Sequence, residues 1–166
     1  LQEVCTVLAS YMLMLCHGWD EAYARAQVQE AVSSGRAFAQ MKRWVAAQGG
    51  DPAVLDDTSK LPQAAIRQEI LAPRGGYLSH MDAQKIGEAS ALLGAGRRTK
   101  EDSIDFAAGI VLQKKTGDLV HPGDVLAVLH TNQPDTLPAA EQTFLSALRW
   151  ADSAPAPQPL ILDIVR

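Results

Sequence analysis

The apolar positions in residues 1–50 recur at helical spacing. Val4, Leu8, Tyr11 and Leu15 follow one another at intervals of three and four, and further apolar residues occupy most of the remaining circumference. Such a helix is expected to bury more than one side. Asp20 reads as an N-cap with Glu21 in the first turn, and Ala24, Val28, Ala31 and Val32 continue a stripe that Gly35 is placed to stop. A third helix is predicted over 36–48, burying Phe38, Met41 and Val45 and ending at Gly49 and Gly50. Asp51 before Pro52 is a cap followed by proline at the first helical position, so a short helix through Leu55 is expected. The polar stretch 56–60 reads as a linker.

From Leu61 the pattern changes. Ile66, Ile70 and Leu71 are followed by Pro73, Gly75 and Gly76 and then by Tyr77 and Leu78, which predicts two short strands around a turn. Asp82 caps a further helix with Ile86, Ala89 and Leu93 inward, closed by Gly94 and Gly96. Apolar strands are predicted over 106–112 and 125–129, with turns at Gly117-Asp118 and Pro122-Gly123-Asp124 between them. Pro138 is expected to open a last helix carrying Phe144, Leu145, Leu148 and Ala151. The prolines of 155–159 break it, and 160–165 reads as a final strand. The expected class is α+β, a helical segment over 1–60 followed by a hairpin-rich sheet-and-helix domain over 61–166.

The chain has 166 residues, of which 47% are apolar, enough for a core and against a disordered tail. Its 15 basic and 19 acidic side chains leave a net charge of -4, and the basic residues form no stripe, so nucleic acid is a poor candidate partner. Cys5 and Cys16 share one helical stretch but stand too far apart along its axis for a disulfide. They are expected to be free, buried thiols of a cytoplasmic protein. The apolar run 4–16 is interrupted by Thr6 and Ser10, is too short for a bilayer and follows no basic residues, so neither membrane nor export is predicted. Because the chain does not begin with methionine, Leu1 is expected to open a fragment.

Candidate chemistry is sparse. His17, His80, His121 and His130 lack the short spacings by which one helix or loop offers two metal ligands, so a structural role is expected for each. There is no G-x-S-x-G, and cysteines in an apolar helix are disfavoured as thiolates. Gly94-Ala-Gly-Arg-Arg98 could be read as a phosphate loop, since guanidinium groups suit oxyanions. These glycines follow an apolar helical stripe, however, where a left-handed residue is needed as a C-terminal cap. Phosphate cradles usually precede a helix. Gly117-Asp-Leu-Val-His-Pro-Gly-Asp-Val-Leu126 pairs two Gly-Asp turns with alternating apolar residues, an arrangement similar to biotin- and lipoate-carrier domains. The acceptor lysine at a hairpin tip is not matched, because Lys114 and Lys115 lie before the turn. A carrier or binding module is thus the alternative reading.

Five runs in one order then carry a family resemblance: Gly49-Gly-Asp-Pro-Ala-Val-Leu-Asp-Asp57, Ser59-Lys-Leu-Pro-Gln-Ala-Ala65, Ala91-Leu-Leu-Gly-Ala-Gly-Arg-Arg-Thr-Lys-Glu-Asp102, Ile104-Asp-Phe-Ala-Ala-Gly-Ile110 and Lys114-Lys-Thr-Gly-Asp118. They resemble the C-terminal third to two-fifths of bacterial pyrimidine-nucleoside and thymidine phosphorylases. The resemblance implies an enzyme converting a pyrimidine nucleoside and orthophosphate to the base and a pentose 1-phosphate. It also implies a C-terminal unit of the α/β-hammerhead type, preceded here by helices belonging to a large α/β domain. The family's phosphate-holding Lys-x-Ser-x-Gly-Gly-Val-Gly and Ser-Gly-Arg-Gly-Leu-Gly-His-Thr-Gly-Gly-Thr stretches, and the Arg, Ser and Lys that read the pyrimidine, lie earlier in its sequence and are not found in this one. No position therefore inherits a role: catalytic none, substrate-binding none, metal none, cofactors none. Nucleoside and phosphate are expected as partners only through the upstream part of a homodimeric, cytoplasmic parent, this segment alone being inactive.

Overall fold

The structure, a computed structural model, describes residues 1–97 and 99–165. Two compact units divide the chain: Leu1–Lys60 together with the segment from Gln158 onward, and Leu61–Pro157.

The helical unit contains α1 (Gln2–His17), α2 (Glu21–Ser33) and α3 (Arg36–Ala47). Asp20 caps α2 as its composition requires, its carboxylate accepting from the Tyr23 amide at 2.8 Å. Asp51 does the same for the short turn Pro52–Leu55, accepting from Ala53 N at 2.8 Å. The packing of α1 is inverted relative to its composition. Its buried residues are Thr6 and Ser10, the Ser10 hydroxyl donating back to the Thr6 carbonyl at 2.7 Å, and these small side chains share the buried interior of the unit with Ala24 of α2. At about 100° per residue, Leu8, Met12 and Leu15 fall on roughly the opposite side. They are 60%, 66% and 86% exposed. Cys5 and Cys16 are exposed as well, which corrects the expectation of buried thiols: the inward line of α1 runs through Thr6 and Ser10 and leaves both sulfurs off it. Likewise Phe38 and Met41, expected to be covered in α3, are about half exposed within this unit.

The second unit is built on two three-stranded antiparallel sheets, which with the helices makes the chain α+β. One has the order β1 (Ile66–Leu71), β5 (Val125–Thr131), β3 (Gly109–Leu112); the other has β4 (Leu119–Val120), β2 (Gly76–Met81), β6 (Leu148–Ala151). Two helices, α4 (Ala83–Ser90) and α5 (Leu137–Ser146), pack on each other. Ile70, Leu78, Leu93, Val120, Leu126, Leu129 and Phe144 form the buried centre. Gln68 on β1 ties the first sheet to α5 by donating to Glu141 at 2.8 Å.

The two short strands expected around Pro73 and Gly75 form, β1 joining β5 and β2 joining β4 and β6. Three expectations change here. Residues 148–151, expected to continue the last helix, form β6. Leu145, Leu148 and Ala151 keep a helix-like spacing of three, but α5 ends at Ser146 and the Ala147 carbonyl accepts from Asp82 N at 2.9 Å, turning the chain onto the edge of β2. The strand expected over 160–165 is irregular, with no neighbouring strand among the described residues and with Leu160 and Leu162 exposed.

The strand expected over 106–112 begins only at Gly109. Asp105 holds the preceding residues in a turn, its carboxylate accepting from Ala107 N at 2.9 Å and its carbonyl from Ala108 N at 3.1 Å.

Candidate functional site

The two Gly-Asp turns have the same construction. In Lys115–Asp118 and His121–Asp124 a glycine, Gly117 at φ 98° and Gly123 at φ 86°, takes the third position, where a side chain would be strained. In each turn the aspartate that follows accepts from the amide of the first residue: Asp118 from Lys115 N at 2.7 Å, Asp124 from His121 N at 3.1 Å. Each turn is then clasped to a buried residue by a reciprocal pair of backbone bonds. Gly117 N donates to Leu78 O at 2.8 Å and Leu78 N to Asp118 O at 3.1 Å; Gly123 N donates to Ala72 O at 2.9 Å and Ala72 N to Asp124 O at 2.8 Å. Lys114 pairs with Asp124 at 2.9 Å, and with the His121 amide it holds that carboxyl below the ordinary aspartate range. This lysine is thus engaged in bracing the turn, and it is Lys115 that stands exposed beside it.

A cleft of about 540 Å³ lies at the end of α4, and its floor is tightly bonded. The helix widens over Ala91–Ala95 and stops at Gly94, whose φ of 108° matches the left-handed C-terminal residue expected there. The Thr131 hydroxyl donates to Leu93 O at 2.8 Å and accepts from Gln133 N at 3.0 Å, while Asp105 N donates to Gly94 O at 2.9 Å and Asn132 Nδ2 to the Asp105 carboxylate at 2.8 Å. Glu101, Asp102 and Asp135 line the cleft, and Asp102 accepts from the Thr99 hydroxyl at 3.0 Å. Helix carbonyls and carboxylates disfavour a phosphate at this place. Arg97 is exposed and follows Gly96 in the chain without lining the cleft; Arg98 lies outside the described residues.

The histidines do not come together as a site. His17 stacks on Trp19 with ring centres 4.5 Å apart, and His80 and His121 are exposed on β2 and in the second Gly-Asp turn. His130 on β5 faces Arg67 across the ladder; burial first, and then that guanidinium, lowers its affinity for a proton, so the neutral imidazole is favoured. No group of three or more His, Cys, Asp or Glu side chains able to hold a metal occurs among the described residues. No described helix is long and apolar enough to cross a membrane.

Residues 61–157 thus form an α+β unit of two small sheets, held by clasped turns and flanked by helices. Residues 77–151 match the family model described as pyrimidine nucleoside phosphorylase C-terminal domain. The chain is 40% identical over 159 residues to the pyrimidine-nucleoside phosphorylase of Bacillus subtilis (strain 168), an alignment that covers 95% of this chain and 36% of that protein. It is 44% identical to the enzyme of that name from Geobacillus stearothermophilus, covering 80% of this chain and 31% of the relative. With the Staphylococcus aureus (strain USA300) protein the identity is 43%, covering 81% and 31%. The chain belongs to the pyrimidine-nucleoside phosphorylase family, in its C-terminal portion. It spans about a third of the length of the curated relatives it matches. The carrier-module alternative has no support from these relatives or from the turn, where Lys114 is bound to Asp124.

Proposed function

We propose that this chain is a supporting part of a pyrimidine-nucleoside phosphorylase, a pentosyltransferase that takes a pyrimidine nucleoside and phosphate to the free base and a pentose 1-phosphate. It contributes no catalytic or ligand-binding side chain of its own. Such a reaction needs cationic and donor groups converging on a phosphate and on a developing oxocarbenium ion. The cleft at the end of α4 offers carboxylates and helix carbonyls instead.

One observation carries the reading. Leu8, Met12 and Leu15 present a line of large apolar side chains that its own unit leaves uncovered, while the small polar residues of the same helix face inward. That is the packing of a helix whose main apolar contact is with other sequence. The roughly two-thirds of each relative outside the aligned region is the natural source of that contact. Within this proposal the whole enzyme is a cytoplasmic homodimer, and substrate and phosphate are held by its upstream part.

Reconstitution tests the reading. The purified chain alone is expected to release no uracil or thymine from nucleoside and phosphate. Co-expression with the part of the Bacillus subtilis relative that lies outside the aligned region is expected to restore phosphate-dependent release, and a triple Leu8→Gln, Met12→Gln, Leu15→Gln variant to weaken it. Phosphorolysis by the chain alone would sink the proposal.

A further inference from the structure

We draw no further inference here: the strongest candidate, the apolar groove of about 480 Å³ between α1 and α2 lined by Cys5, Ala9, Met12, Val28 and Val32, adjoins the uncovered α1 line already described, and nothing in the structure shows another occupant for it.

Discussion

Asp118 and Asp124 each stand where a turn would otherwise leave an amide unpaired, and only Asp124 has a lysine beside its carboxylate. Because the folded protein lowers the proton affinity of Asp124, its contribution is present above the ordinary aspartate value of 3.8 and is lost as pH falls through the lower folded value. Asp124→Asn is therefore expected to melt at a lower temperature than the parent at neutral pH, with the gap closing under strong acid. A gap that stays constant with pH would show that the charge is not what stabilises the turn. Thr131 gives a sharper test, since its fully buried hydroxyl serves both the Leu93 carbonyl and the Gln133 amide. Thr131→Val keeps the shape and orphans both groups, so chemical denaturation should register a loss of about 1–3 kcal/mol. An unchanged midpoint would mean that water reaches the cleft floor and replaces the hydroxyl.

Elements were legible where local chemistry decides them. Asp20, Asp51 and Asp82 each cap the helix they were expected to start, and the glycines of the Gly-Asp turns adopt the conformation that only glycine takes without strain. What the sequence left hidden is set by contacts between distant residues. The period of Leu145, Leu148 and Ala151 suits a helix, yet β2 offers an unpaired edge and 148–151 joins it; no local signal distinguishes these outcomes.

The candidate cleft was half legible for the same reason. Gly94 announces a helix end, but the Thr131 and Asp105 side chains that knit it arrive from strand and turn segments well separated from it in sequence. Phe144 shows how much depends on such contacts: it is fully buried on α5 within the cluster that includes Ile70, Leu78 and Leu129. Phe144→Ala is expected to cost about 3–5 kcal/mol, read as a lower denaturation midpoint of the sheet-bearing unit. A loss below about 1 kcal/mol would show that the cluster repacks around the gap.

At the scale of the whole chain, the apolar residues distribute unevenly. The sheet-bearing unit closes its core over Phe144 and Leu78, whereas the helical unit fully buries little beyond Ala24 and the small residues of α1, and exposes Leu8, Met12, Leu15, Phe38 and Trp44. Water penalises each large side chain left in this state by about 1.5–3 kcal/mol relative to burial, and a net charge of -4 gives only modest repulsion against pairing of copies. Part of that gain is spent on the lost freedom of two associating bodies, so association is expected to be weak and concentration-dependent. Sedimentation of the purified chain should accordingly show a monomer at low concentration and larger species as concentration rises. The triple α1 variant should move the equilibrium back toward monomer while the melting of the sheet-bearing unit stays where it was, because none of the three substitutions lies in that unit. A clean monomer at high concentration would mean that this face is tolerated in water and that α1 needs no further apolar partner.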